Sequence, residues 1–122
     1  MNVKIKLLRT IDNIEFWLID DLLLQKIDSK WKDYIGCHHW GKGKTVVIDD
    51  ILYEGTSYIP ENEIWISNYI FRTKKGSSLT QELCRVMKHE YLERQLMQYL
   101  VDYEKLSRDK AWYIAHHSVK NV

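Results

Sequence analysis

At 122 residues and a formal net charge of +1, the chain has the size of one domain, 1–122, and no overall charge to draw it to nucleic acid or an anionic membrane. Its hydrophobic fraction of 45% and charged fraction of 29% are those of a soluble globular protein. No apolar run approaches the ~20 residues of a membrane span, and Met1–Lys6 lacks the apolar core of a signal peptide, so the expected location is cytoplasmic.

Val3, Ile5 and Leu7 alternate with Lys4 and Lys6, the pattern of a strand with one buried face. Asp12-Asn13 tolerates tight-turn geometry, and Ile14, Phe16 and Leu18 alternate again. The simplest reading is a hairpin of residues 3–9 and 14–19. A helix over 14–27 competes, because Ile14, Trp17, Leu18 and Leu22 also fit helical spacing. Residues 22–27 read as a strand or a short helix, and 31–34 as a turn or a short helical piece. Three glycines in Gly36-Cys37-His38-His39-Trp40-Gly41-Lys42-Gly43 predict a loop. Cys37 and Cys84 stand in no paired motif and are expected to be free thiols.

Thr45–Ile48 reads as a strand ended by Asp49-Asp50, and 51–54 as its continuation in the sheet. Residues 59–63, with the only proline, Pro60, introduce the strand Ile64-Trp65-Ile66. Arg72–Ser78 is a polar, basic connection. Its Arg72, Lys74 and Lys75 are a weak footing for nucleic-acid binding, since basic loops are usually just solvated. Ser78 and Gln81 match a capping box, placing the start of a long helix at Leu79 and its end near Val101. A last helix spans 108–119, capped by Ser107 or Asp109. Strands first and helices last give an α+β fold: an antiparallel or mixed sheet packed on a long C-terminal helix and a shorter one.

The chemistry concentrates on the long helix. His89 and Glu93 are four residues apart and project from one face, together with Val86, Leu96 and Leu100. A histidine and a carboxylate on a burying stripe need partners, and a metal ion satisfies both. His116 shares a stripe with Trp112, Ala115 and Val119 and is the inward-facing member of His116-His117. The glycine-rich stretch offers His38 and His39 as a further ligand. Glu90, rotated some 100° from His89, is the candidate general base. Glu82, two turns before His89, is placed to hydrogen-bond a ligand histidine. Histidine and carboxylate ligands suit zinc, with iron or manganese as alternatives. Three protein ligands would leave a position for water and hydrolysis; four would close the site. The bland reading is a charged helix whose acids pair with Arg85 and Arg94.

The segments Gly36-Cys37-His38, Ile59-Pro60-Glu61-Asn62-Glu63-Ile64-Trp65-Ile66, His89-Glu90-Tyr91-Leu92-Glu93-Arg94-Gln95-Leu96-Met97 and Trp112-Tyr113-Ile114-Ala115-His116 resemble those of a family of small bacterial and phage proteins. The helix, with a strand before it and a histidine after it, is also similar to the minimal core of zinc metallopeptidases. Glu93 stands where that motif has its second histidine, and Cys37 where the loop has glycine. The resemblance implies a zincin-like fold in which Ile64-Trp65-Ile66 flanks the helix and lines a cleft for a peptide. The alternative is a non-enzymatic structural or protein-interaction module. In it a metal or a histidine–carboxylate network only braces the fold, and Trp40, Trp65 and Trp112 serve packing or a partner face.

Overall fold

The computed structural model describes residues 2–120. Strands β1 (Lys4–Ile11) and β2 (Ile14–Ile19) form the predicted antiparallel hairpin, but the expected buried face of the first strand is not found: Val3 is buried while Ile5 and Leu7, on an edge strand, are exposed. Asp12 and Asn13 both take positive φ, 50° and 66°, as a two-residue type I′ turn requires. The competing helix over 14–27 does not form. Only its second half is helical, as α1 (Asp21–Gln25), where the Asp20 side chain caps the end by accepting from the Leu23 N–H. A short 3-10 turn, Ser29–Lys32, follows with Asp28 as its cap.

The glycine-rich stretch is not wholly a loop. Its first residues form strand β3 (Gly36–His38). Strands β4 (Val46–Ile48) and β5 (Ile51–Tyr53) pair only with each other, so 51–54 does not extend the main sheet as expected. Asp49 and Asp50, again at positive φ, turn this ribbon back on itself before it can reach the sheet. Strand β6 (Glu63–Ser67) then enters the main sheet, whose order is β1-β2-β6-β3. β6 runs parallel to β2 and antiparallel to β3, so the sheet is mixed and β3 is one of its edges.

Every residue of β6 is buried, because both faces of the sheet are covered. On one face Ile14, Phe16, Ile64 and Ile66 pack under Val86 and Ile70. On the other, Trp65, Ile19 and Cys37 pack against Leu24, Trp31, Tyr58 and Ile59. The expectation that Ile64-Trp65-Ile66 lines a cleft is therefore corrected. These side chains are core, and truncating either isoleucine to alanine should cost about 2–5 kcal/mol.

Helix α2 (Tyr69–Thr73) occupies the start of the expected connection. Arg72 on it grips the buried Asp21 through two nitrogens at 2.8 and 3.0 Å, so one cation of the basic stretch is spent on the fold. Helix α3 (Gly76–Gln98) begins before the expected capping box, and its flanking residue Lys75 makes no side-chain cap. Gly76, at φ 59°, makes the turn into the helix instead. A π turn, Tyr99–Tyr103, ends it, and α4 (Arg108–Val119) is capped by Ser107. Ala111 and Ala115 are fully buried against Trp40, Met97 and Leu100. Their small side chains let α4 lie close along α3, which carries His116 to the face of the long helix.

Candidate metal centre

The buried stripe of α3 is Val86, Glu90, Glu93, Arg94 and Met97. Glu90, expected to point away from the core face, lies in the middle of it. The helix is rolled this way because the β3 edge and α4 cover it from two sides. Arg94, expected to pair with Glu90, is taken by the Glu61 carbonyl at 2.9 and 2.6 Å and lies over Trp40. Glu82 does not reach a histidine; it binds Arg85, at 2.5 and 3.1 Å.

Glu93 is the hub. Its Oε1 lies 2.8 Å from His38 Nε2. Its Oε2 lies 3.2 Å from His89 Nε2 and 3.1 Å from His116 Nδ1. Strand register explains His38. Cys37 pairs with Trp65 and His38 with Ile64, so alternation turns His38 to the α3 face and Cys37 to the opposite core. There the Cys37 thiol contacts Thr56, and burial pushes its pKa up. His116 is held by a parallel stack on Trp112, ring centroids 4.4 Å apart, and the Lys42 ammonium sits 4.1 Å over the other ring. His39 does not join the cluster. Its Nδ1 bonds the Ile59 carbonyl at 2.7 Å, and its Nε2 faces Glu61. His39 lies just past the end of β3, in the turn that follows, and its ring is held by these contacts away from Glu93. His117 lies tilted against the Tyr113 ring and is exposed.

Two overlapping sets of ligand atoms converge here: His89, Glu93 and His116, and His38, Glu90 and Glu93. They are not equivalent. The Trp40 N–H donates to His38 Nδ1 at 3.2 Å, so the ring proton of neutral His38 is on Nε2, and that proton points at Glu93. His38 is thus occupied at both nitrogens and acts as a brace for Glu93. The first set brings one carboxylate oxygen and two imidazole nitrogens within 4.8 Å of one another. Donors of a single tetrahedral zinc shell stand roughly 3.3–3.5 Å apart, given bonds of ~2.0–2.2 Å. The 3.1 and 3.2 Å separations fit that shell with little adjustment.

The two carboxyl groups have opposite electrostatics. Burial would raise Glu93, but the hydrogen bond from His38, then the contacts with His116 and His89, outweigh it and hold the group below the usual carboxylate range. Glu90 is raised well above that range by burial and then by the Glu93 charge, with Arg85 opposing. Glu90 Oε2 is buried and has no hydrogen-bond partner among the described residues. Such an orphan costs about 1–3 kcal/mol. Gly36 gives it room: a Cβ there would stand 2.9 Å from Glu90 Cγ. A cavity of about 250 Å³ adjoins the cluster, lined among others by Tyr34, Gly36, Arg85, Glu90, Trp112 and His116.

Comparison with protein-family profiles, curated proteins and solved structures finds no match to this chain. Among the described residues no helix is long and apolar enough to cross a membrane. The site thus rests on its own geometry. Sequence reasoning missed the roles of Gly36, Tyr34 and Arg85. A signal for Trp112 was present, four residues before His116 and so one turn from it.

Proposed function

We propose that the chain is a small metal-dependent hydrolase of amide or related bonds, with a zincin-like arrangement of strand, long helix and distal histidine. The observation that carries the reading is Glu90: a buried, partnerless carboxyl beside three convergent ligand atoms and a cavity. His89, Glu93 and His116 would hold the ion, zinc by ligand chemistry, with iron or manganese as alternatives. His38 orients Glu93 from behind, as supporting hydrogen-bond partners of ligands do. When bound, a divalent ion at such a site supplies Lewis acidity and makes water nucleophilic near neutral pH.

Burial first, and the Glu93 charge second, hold the pKa of the Glu90 carboxyl up; with the Glu93 charge offset by an ion, it would fall toward the range of a proton acceptor. Glu90 takes the proton of the attacking water as the water oxygen bonds the substrate carbonyl. It then returns that proton to the leaving nitrogen or oxygen as the old bond breaks. Trp112 keeps His116 from turning, and the cavity receives the substrate, for which a peptide is the natural class. The test is elemental analysis of protein purified without chelator, followed by peptide and ester turnover. About one ion per chain, with turnover removed by Glu90→Gln at unchanged metal content, is expected.

One observation favours a second reading. Glu93 already lies within hydrogen-bond reach of His38, His89 and His116, a network that can brace the fold without an ion. The chain would then be a structural or protein-interaction module. Protein that binds no metal, and whose melting temperature ignores added zinc, iron and manganese, decides for this alternative.

A further inference from the structure

The cavity beside Glu90 has one permanently charged cation on its wall among the described residues, Arg85. The other titratable side chains lining it are Asp33, Tyr34, Cys37, Glu90, Glu93 and the imidazoles of His89 and His116. Arg85 precedes His89 by four residues and Glu93 by eight on α3, so the three share one helix face. About one turn, roughly 6 Å of helix rise, separates the backbone position of Arg85 from that of His89, the first proposed ligand.

The guanidinium gives Nε and Nη2 to Glu82 and has no partner on Nη1 among the described residues. The Arg85–Glu82 pair is exposed, 54% and 24% at the side chains, and pairs of this kind add little stability. It can open for a better-placed carboxylate. The cavity lining also includes the apolar side chains of Ile35 and Val86 and the Tyr34 ring. The cavity, about 250 Å³, is smaller than the ~300–1,000 Å³ of pockets for drug-sized ligands. It suits a short substrate.

Resting on the hydrolase reading above, we infer that Arg85 selects substrates bearing a carboxylate one residue from the bond to be cleaved: N-acylated apolar amino acids, or peptides ending in an apolar residue. The carboxylate docks on the Arg85 fork, the apolar side chain lies on Ile35 and Val86, and the amide reaches Glu90. Among the described residues Arg85 is the one permanently charged cation lining the cavity that can dock a carboxylate away from the proposed ion. The same substrate without its carboxylate gains nothing from Arg85. An arginine fork matches a planar carboxylate through two parallel N–H bonds, which a lysine cannot reproduce.

The test is equilibrium binding to the cobalt-loaded full chain, read by the thiolate-to-cobalt absorption band. The probes are a mercaptomethyl-phenylpropanoic acid and its carboxamide, which differ only in the group meant for Arg85. The acid is expected to bind at least about tenfold tighter than the amide, as one charge-assisted fork implies. Arg85→Gln should bring that ratio to about one with cobalt content unchanged, and Arg85→Lys should restore it only in part. Glu82→Gln, which frees the guanidinium, should widen it. A ratio near one in the unmodified chain, or one that survives Arg85→Gln while cobalt is bound, overturns the role of Arg85 alone. Failure of the unmodified chain to bind cobalt overturns the metal reading, and this inference with it.

Discussion

Gly36 on β3 and Glu90 on α3 pack against each other so closely that a side-chain carbon at residue 36 would meet Glu90 Cγ at 2.9 Å and Val86 Cγ1 at 3.1 Å. The strand edge and the helix thus define each other's position, and the contact sits directly over the proposed general base. Gly36→Ala should cost about 1–3 kcal/mol, the range for overpacking a close contact. Urea denaturation checks the cost. A neutral result would mean that Glu90 can retreat without loss and that its seat is not built by β3.

Glu90 is held in that seat at a cost to stability. Its burial and missing partner predict that Glu90→Leu raises stability by about 1–3 kcal/mol, since an unsatisfied buried polar group is replaced by an apolar one of similar size. The same substitution should abolish turnover. A chain that becomes less stable with leucine at 90 contains a partner for this carboxyl that the geometry does not reveal.

The ligand assignment separates four histidines. His89→Ala and His116→Ala should each remove bound metal, measured by elemental analysis after dialysis. His39→Ala should leave metal content unchanged, because its ring is committed to the Ile59 carbonyl. His38→Ala should weaken affinity by roughly 10–100-fold without removing the ligand set, the usual cost of losing a supporting partner. Equal effects at His38 and His39 would sink the distinction between them.

Metal should also act as a folding ligand. At an ion concentration about a thousand times Kd, binding contributes about 4 kcal/mol to the native state. Chelation should therefore lower the melting temperature by several degrees. Calorimetry with and without chelator measures this, and identical curves would favour the self-sufficient hydrogen-bond network around Glu93.

The cysteines give an independent check on register. Cys37 is buried against Thr56, with its thiol pKa pushed up by burial, whereas Cys84 is exposed. In the native chain a thiol reagent should label Cys84 quickly and Cys37 only on unfolding. Fast labelling of both would place Cys37, and so His38, on the wrong faces of β3.

Local rules read from the sequence hold where the relevant neighbours are close in the chain. The turn at Asp12-Asn13, the Ser107 cap and the His89–Glu93 pair all depend on residues at most four apart. His116 was legible too, because Trp112, Ala115 and Val119 mark one side of a helix that must turn back on α3. Distant packing decided the rest. Nothing within Gly36–Gly43 shows that its first residues pair with β6, yet that pairing sets the parity that turns His38 toward α3 and Cys37 to the opposite core. The spacing of α3 places Glu90 about 100° from His89 but not which of them faces inward. The roll of the helix was set by β3 on one side and α4 on the other, and these bury Glu90 while leaving His89 at the cavity's edge. The sequence by itself therefore determined which chemical groups are available on each element. Only the tertiary structure decided which of them meet, because strand parity and helix roll are fixed by partners tens of residues away.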